Sequence, residues 1–147
     1  VRAARDRLGK NGKRAARGGT LDGAQVEKMA PSGNELMVGA KRDPEWGTVL
    51  LVGLGGVWVE ALGDVTLLPV DADEARIVEA LRSLRTAKLL AGFRGAPPAD
   101  IEAVAQVVMA IGRLMQTVPE LTEIDVNPLM VHAKGQGATA LDALIVA

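Results

Sequence analysis

At residues 121–132 the chain reads LTEIDVNPLMVH, and at residues 138–146 it reads ATALDALIV. Both stretches are rich in apolar residues and short enough to be strands, and the intervening KGQG at residues 134–137 is a turn-forming sequence. Two short strands joined by a glycine-containing turn are typical of an antiparallel hairpin. We therefore predict a β-hairpin made of these two stretches.

The first strand of this hairpin carries three oxygen-bearing side chains on one face. Residues two apart along a strand point to the same side of a sheet, so Glu123, Asp125 and Asn127 lie together while the residues between them face the core. If the hairpin turns at residues 135–136, antiparallel pairing places Asn127 opposite the stretch that begins at Asp142. The pattern therefore predicts that Asn127 and Asp142 are neighbours.

Asp142 stands within the apolar sequence ATALDALIV, where we expect its carboxylate to be buried. Burying a lone carboxylate is unfavourable unless a cation or hydrogen-bond donors compensate its charge. Mg²⁺ prefers oxygen ligands and commonly uses only one or two protein groups, together with waters and substrate phosphates. Asn127 and Asp142 are therefore candidate Mg²⁺ ligands. The alternative interpretation is an edge strand whose polar face is simply hydrated.

The composition is that of one globular domain. The 147 residues are 48% hydrophobic and 24% charged, with a net charge of −1, and a domain of this length can bury a substantial core. The apolar runs are shorter than the ~20 residues that a membrane-spanning helix needs. The sequence contains no cysteine, which excludes disulfides and thiolate sites. We expect a cytoplasmic protein without membrane contacts, and a chain that is part of a longer protein.

Residues 1–23 form a basic lead-in. Seven Arg and Lys residues oppose the single Asp6 within the first 20 positions. Such a segment could bind nucleic-acid phosphates, but it has no aromatic residue for stacking on bases and no known reading motif. Nucleic-acid binding is therefore the weaker alternative. We expect a solvated helix face followed by a mobile loop, because KNGK at residues 10–13 and GG at residues 18–19 are breaker sequences.

Four further strands precede two helices in the predicted order of elements. The strands span residues 24–29, 35–42, 48–54 and 65–69, and each is bounded by Gly, Pro, Asn or Asp. The first helix is expected to begin near Asp71, which can cap it. The second is expected to have Pro98 in its first turn, carries an apolar stripe at helical spacing and stops at Pro119. Because strands and helices occur in blocks, we predict an α+β fold with a mostly antiparallel sheet backed by helices.

A glycine-rich stretch follows the strand predicted at residues 48–54. It contains Gly53, Gly55 and Gly56, and Glu60 lies four positions further along. Glycines let the backbone approach an anion such as phosphate closely, although the stretch is neither a Walker loop nor a complete GxGxxG fingerprint. The alternative is a glycine turn between two strands, with Glu60 at a solvated strand end.

Two cations lie at the end of the strand predicted at residues 35–42. Lys41 and Arg42 could contact phosphate, and Lys41 joins Glu60 as a candidate catalytic residue. The alternative is again a solvated strand end. Arg94, within GFRG at residues 92–95, is ambiguous in the same way.

Several motifs, taken together and in order, resemble the ATP-grasp portion of NDP-forming acyl-CoA synthetases, which are relatives of succinyl-CoA synthetase β-subunits. The motifs are EKM at residues 27–29, GNEL at 33–36, KRDP at 41–44, GLGG at 53–56, LAGFRG at 90–95, PP at 97–98 and DVNPL at 125–129, followed by Asp142. They cover nearly the whole chain. The resemblance implies that residues 1–147 are the C-terminal part of an ATP-grasp domain.

The resemblance also implies a nucleotide site for ATP or ADP. Backbone groups of Glu27, Lys28 and Met29 are expected to meet the adenine ring, and Glu35 is expected to accept the ribose hydroxyls. The glycine-rich stretch with Glu60 is expected toward the phosphates.

The same resemblance identifies Asn127 and Asp142 with the Mg²⁺-binding pair of the family. Glu123 and Asp125 then become supporting acids beside the metal. This resemblance favours the metal interpretation over a merely hydrated strand.

The implied reaction is reversible and converts acyl-CoA, ADP and phosphate into a carboxylic acid, CoA and ATP, through an acyl phosphate and a phosphohistidine. His132, the single histidine, follows the metal strand and is not expected to be the phosphocarrier. The phosphohistidine, the CoA-binding and ligase domains and the phosphate-gripping lysine are expected on other sequence. The working enzyme is expected to be an oligomer, and this chain alone is expected to be inactive.

Some positions depart from the family pattern. Relatives often carry Gln where Glu27 stands, Pro where Thr48 stands, an arginine within residues 65–69 and another where Leu144 stands. These departures leave a second hypothesis open, in which the chain is a degenerate or regulatory ATP-grasp module of a protein lysine acetyltransferase.

Overall fold

A six-stranded antiparallel sheet, with helices packed on one face, forms the structure. It was obtained as a computed structural model and describes residues 27–55 and 63–147. The strands are β1 (Asn34–Asp43), β2 (Gly47–Leu54), β3 (Val65–Pro69), β4 (Glu123–Val131), β5 (Ala138–Ala140) and β6 (Ala143–Val146). The helices are α1 (Glu74–Ser83), α2 (Ala87–Leu90) and α3 (Ile101–Thr117). The strand order is β3-β2-β1-β4-β5, and β6 also pairs with β4.

This architecture confirms the predicted α+β class with an antiparallel sheet. The strands predicted at residues 35–42, 48–54 and 65–69 are β1, β2 and β3. The strand predicted at residues 24–29 is wrong where it can be judged, because residues 27–29 have no strand structure. Met29 is 89% exposed, so this stretch lacks the packing that favours a strand. Residues 24–26 and the basic lead-in lie outside the described residues.

The core lies between the sheet and the two longer helices. Alternate residues of β1 face it, namely Leu36, Val38 and Ala40, all at most 3% exposed. The apolar stripe predicted for the second helix is buried in α3, with Val104, Val108 and Met115 fully enclosed. Among the described helices, none is long and apolar enough to cross a membrane.

The first helix starts two residues later than predicted. Its N-cap is Asp73, whose carboxylate accepts from the backbone N–H of Arg76 at 2.8 Å, and not Asp71. Both aspartates suit a cap, but the chain is still in a turn at Asp71 after β3. The short helix α2 was not predicted, because four residues are too few to show a periodic pattern.

The side chain of Arg42 lies at the C-terminus of α3 and not beside the side chain of Lys41. Its guanidinium donates to the carbonyls of Met115 at 2.8 Å and Leu121 at 3.1 Å. The residue four positions after Met115 is Pro119, which has no N–H, so the Met115 carbonyl has no helical donor. Arg42 supplies the missing donor, and the expectation that it contacts phosphate is therefore not supported by its placement.

Asp100 joins α3 to the final hairpin. Its carboxylate caps α3 through the N–H of Ala103 at 3.4 Å and accepts from the N–H of Gly137 at 2.8 Å. Its own N–H donates to the carbonyl of His132 at 2.9 Å. The bond from Gly137 holds the pKa of Asp100 below its ordinary value against the opposing effect of burial. One carboxylate thus attaches the hairpin turn to the helix layer.

We expect Asp100→Asn to lower the free energy of unfolding by about 2 kcal/mol, because the amide has one acceptor oxygen for two donors. Folding lowers the pKa of Asp100. The contribution of its ionised carboxylate to the free energy of unfolding is therefore present at neutral pH and is lost as the pH falls below about 4. Chemical denaturation at pH 7 and at pH 3 measures both effects. Asp73→Asn is the matched control, because Asp73 accepts one bond and Asn caps as well as Asp. Equal losses in the two variants would contradict the role of Asp100.

Candidate functional site

The face of the sheet opposite the helices carries the predicted site residues. On β4, Glu123, Asp125 and Asn127 are partly exposed, whereas Ile124 and Val126 are buried at 4% and 7% exposure. The alternation predicted for this strand is therefore confirmed. The same face of β1 presents every second residue, listed in order as Glu35, Met37, Gly39 and Lys41.

The final hairpin also pairs as predicted. The Cα partners include Leu129 with Ala140 and Val126 with Ala143, and between them the N–H of Asn127 donates to the carbonyl of Asp142 at 3.3 Å. Asn127 and Asp142 are thus neighbours on adjacent strands.

The second hairpin strand is not continuous, because it divides into β5 and β6 at residues 141–142. The interruption lies opposite Pro128, which has no N–H to give to the ladder. On the other side of β4 the register with β1 shifts between Leu36 and Val38, so Met37 faces the irregular step at Asn127 and Pro128. Irregular steps of this kind re-aim side chains next to functional sites.

The expectation that Asp142 is buried is wrong, because its side chain is exposed at the break between β5 and β6. The flanking leucines do not enclose it, since Leu141 and Leu144 are themselves 47% and 56% exposed. Burial of Asp142 therefore gives no reason for a cation here.

The donor set fits a hard divalent cation. The amide nitrogen of Asn127 donates to the sulfur of Met37 at 3.6 Å, which leaves its carbonyl oxygen for a ligand. One carboxylate oxygen of Asp142 accepts from the N–H of Ala143 at 2.9 Å, and the other is available. Within residues 27–55 and 63–147, no three His, Cys, Asp or Glu side chains are grouped to hold a metal. An ion here would need water or substrate oxygens, as Mg²⁺ commonly does.

The electrostatics also favour a cation. Partial burial raises the pKa of Asp125, and the neighbouring charges of Glu123 and Asp142 raise it further. A raised pKa means that the negative charge at Asp125 is disfavoured by its surroundings. A cation beside Asn127 and Asp142 would offset the repulsion among these carboxylates.

Lys41 lies on this same face. Its ammonium forms an ion pair with Glu123 at 3.2 Å across β1 and β4, with both side chains substantially exposed. It lines a shallow cavity of about 280 Å³ together with Asp125 and Met37. Lys41 is therefore placed near the candidate metal residues, whereas Glu60 and Gly56 lie outside the described residues. Its catalytic role stays a prediction.

A second cavity, of about 640 Å³, collects all four residues predicted for the nucleotide base and ribose. It is lined by Glu27, Lys28, Met29, Ala30, Pro31, Glu35, Met130, Thr139, Ala140 and Leu141. Leu141 directly precedes Asp142, so this cavity adjoins the candidate metal pair. Residues from three separate parts of the chain meet here, and a planar ring could lie between its apolar side chains.

Sequence reasoning missed the far wall of this cavity, which is formed by Met130, Thr139 and Leu141. A signal was available, because pairing within the hairpin places Thr139 beside Met130. Met130 in turn is the Cα partner of Glu35. Glu35, Met130 and Thr139 therefore form a row across three strands. This row leads from the predicted ribose residue to the wall of the cavity.

The glycines at the end of β2 are required by chain packing. A Cβ on Gly55 would lie 2.8 Å from the carbonyl oxygen of Leu36, and a Cβ on Gly53 would lie 2.6 Å from a methyl group of Val65. The N–H of Gly55 donates to the carbonyl of Glu35 at 2.8 Å. Close packing against β3 and β1 accounts for Gly53 and Gly55, and their role toward phosphate stays a prediction.

Arg94 lies in the connection between α2 and α3. Its backbone has a positive φ of 52°, and its guanidinium stands 5.3 Å from the ring centroid of Phe93. These contacts are local to the connection and supply no link to the candidate site.

Comparison with known proteins gives consistent results. The model of the ATP-grasp domain matches residues 1–147. Trans-feruloyl-CoA synthase FCS1 from an unknown prokaryotic organism is 47% identical over 126 residues, which are 86% of this chain and 18% of that protein. The β-subunit of ADP-forming acetate–CoA ligase I from Pyrococcus furiosus is 38% identical over 128 residues, 86% of this chain and 53% of the subunit. This chain therefore spans only part of the relatives that it matches.

A solved structure of the dinucleotide-forming acetyl-coenzyme A synthetase 1 from Ca. Korarchaeum cryptofilum superposes with a TM-score of 0.82 at 35% identity, covering 99% of this chain and 64% of the other. Another structure of that protein contains coenzyme A and Mg-AMPPCP, with its phosphohistidine segment pointing towards the nucleotide-binding site; its TM-score is 0.75 at 37% identity, covering 80% of this chain and 55% of the other. The family match over residues 1–147 and the likeness to these solved structures agree. The chain belongs to the ATP-grasp domain family.

Proposed function

We propose that this chain supplies the nucleotide and Mg²⁺ site of an ADP-forming acyl-CoA synthetase. The observation that carries the proposal is the convergence of Glu27, Lys28, Met29 and Glu35 on one cavity beside the Asn127–Asp142 pair. Relatives that are CoA ligases and synthases support the reaction class. They do not favour the regulatory module of a lysine acetyltransferase as the alternative.

In the proposed complex, adenine occupies the 640 Å³ cavity, whose lining includes the apolar side chains of Met29, Met130 and Leu141. Residues 27–29 lie outside the strands of the sheet, and their backbone groups would meet the edge of the base. The carboxylate of Glu35, on β1, accepts the ribose hydroxyls. The phosphates then run toward Asn127 and Asp142 along the open face of the sheet.

The chemistry assigned to this chain is positioning and charge neutralisation. Bound Mg²⁺ would neutralise phosphate charge and orient the transferred phosphoryl group. Asn127 and Asp142 would hold the ion by one oxygen each, and Lys41, after release from Glu123, would meet a phosphate oxygen. Asp125 supports the site by its negative potential.

The complete reaction needs groups beyond these residues. Acyl-CoA, ADP and phosphate would give a carboxylic acid, CoA and ATP, with a histidine on another segment carrying the phosphoryl group. The proposed partners are CoA-binding and ligase domains of the same protein or complex, CoA and a carboxylic acid, in a cytoplasmic oligomer without membrane or nucleic-acid contacts. The acyl group is not determined by this site.

The test uses the intact protein that carries this chain. Calorimetric titration should show ADP binding that depends on Mg²⁺, and a coupled assay should show ATP formation from ADP, phosphate and a short-chain or aromatic acyl-CoA. Binding of ADP without turnover of any acyl-CoA would reject the synthetase assignment and favour a regulatory module. Failure to bind ADP with Mg²⁺ would reject the nucleotide site itself.

A further inference from the structure

His132 is buried next to the nucleotide cavity without belonging to its lining. It directly follows β4 and is 7% exposed. Its Nε2 lies 2.8 Å from the hydroxyl oxygen of Thr139, and its Nδ1 is enclosed without a hydrogen-bond partner among the described residues. A nine-tenths-buried imidazole with one partner and one unpartnered nitrogen calls for an explanation.

The backbone of His132 is held on both sides, so the ring has a defined position. Its N–H donates to the carbonyl of Gly137 at 3.0 Å, and its carbonyl accepts from the N–H of Asp100 at 2.9 Å. Asp100 in turn accepts from the N–H of Gly137 at 2.8 Å. The turn that leads into β5, and hence to Thr139, is attached to the same group of bonds.

The unpartnered nitrogen decides which way the bond to Thr139 runs. A neutral imidazole carries one N–H, and unpaired buried N–H groups are rarer than unpaired buried acceptors. Placing the proton on Nδ1 would leave a buried donor unsatisfied, whereas placing it on Nε2 lets it donate to Thr139. Thr139 then accepts from His132, and its own hydroxyl proton is left to donate to another group.

That other group lies in the nucleotide cavity. Thr139 is exposed and forms part of the cavity wall, in a row with Met130 and Glu35 across β5, β4 and β1. The other polar side chains of the lining are two carboxylates and one ammonium, from Glu27, Glu35 and Lys28. Thr139 is therefore the one neutral side-chain donor among the lining residues that the structure describes.

We propose that His132 is a positioning residue for the nucleotide, which orients the Thr139 hydroxyl to donate a hydrogen bond to an acceptor atom of the bound base or ribose. This inference rests on the proposed nucleotide site. It gives the single histidine of the chain a role that differs from phosphoryl transfer. Thr139 makes the contact, and His132 acts through it.

The experiment is a titration of the intact protein with Mg-ADP, comparing Thr139→Val, Thr139→Ser, His132→Phe and the double variant His132→Phe/Thr139→Val. Loss of one neutral hydrogen bond should weaken ADP binding about fivefold in Thr139→Val, while Thr139→Ser keeps wild-type affinity. His132→Phe should weaken binding by a similar factor. The double variant should bind no more weakly than Thr139→Val, because both changes remove the same contact.

A merely structural role gives a different pattern. If His132 only fills space, His132→Phe and Thr139→Val would act independently and their effects would multiply, which overturns the proposal. Wild-type affinity in Thr139→Val overturns it too, and this arm needs no change at His132 and so stays decisive if His132→Phe does not fold. In turnover, the expected change is in the KM for ADP with kcat preserved.

Binding of Mg-ADP by the wild-type protein separates the proposed nucleotide site from the role of His132 and Thr139. If the wild-type protein does not bind Mg-ADP, the proposed function is wrong and this inference falls with it. If the wild-type protein binds Mg-ADP and Thr139→Val binds equally well, the nucleotide site stands and only the role of His132 and Thr139 is overturned.

Discussion

Replacing Asp142 with alanine is expected to weaken Mg²⁺-dependent ADP binding by the intact protein by about 100-fold, because removing a metal ligand should cost at least as much as removing a group that only orients one, which costs about 10- to 100-fold. The reason is that Asp142 supplies the only full negative charge of the pair, and Asn127 alone offers one neutral oxygen. ADP binding in the absence of Mg²⁺ should change little, because the cavity for the base is formed by other side chains.

The measurement is calorimetric titration with ADP at several Mg²⁺ concentrations. Glu120→Gln is the matched control, since Glu120 is an exposed acid outside the site and its replacement removes the same charge. Unchanged Mg²⁺ dependence in Asp142→Ala would end the metal assignment.

The pairing of Asn127 with Asp142 could be predicted because it depends on two local rules. Strand period assigns the faces, and the position of the turn sets the register of a hairpin. The same rules do not predict whether the side chain of Asp142 is exposed. Asp142 lies in an apolar sequence, yet the ladder is interrupted opposite Pro128 and the flanking leucines are exposed. Burial depends on what covers a strand, which the strand's own sequence does not state.

Arg42 illustrates a limit of a different kind. The sequence shows that Arg42 directly follows Lys41 in a strand, so that their side chains point to opposite faces, and it shows the proline at position 119. That the two are related depends on the packing of α3 beside the end of β1, a contact between residues more than 70 positions apart. The 640 Å³ cavity has the same character, because Glu35, Met130 and Thr139 come together only through the sheet. Family resemblance identified part of that cavity, where periodicity alone could not.

Gly39→Ala is expected to lower the free energy of unfolding by about 3 kcal/mol and to weaken Mg-ADP binding at the same time. Gly39 is a buried residue of β1 and the Cα partner of Asp125 on β4. A Cβ at this position would lie 2.5 Å from the carbonyl oxygen of Ile124, a backbone atom that can move only with its strand. Alanine would therefore push β1 and β4 apart at the strand that carries Asp125 and Asn127.

The direction of the stability change in Gly39→Ala distinguishes close packing from ordinary strand propensity. Glycine in a strand interior is ordinarily unfavourable, so without the close approach alanine would stabilise the sheet. Gly47→Ala in the β1–β2 turn provides the comparison, because nothing lies within 4 Å of its Cβ position and only its positive φ opposes alanine, at about 1 kcal/mol. Hydrogen exchange of the β1 and β4 amides should then rise in Gly39→Ala but not in Gly47→Ala. If Gly39→Ala were as stable as the wild type and bound Mg-ADP normally, the close packing of β1 on β4 would not be what positions Asn127.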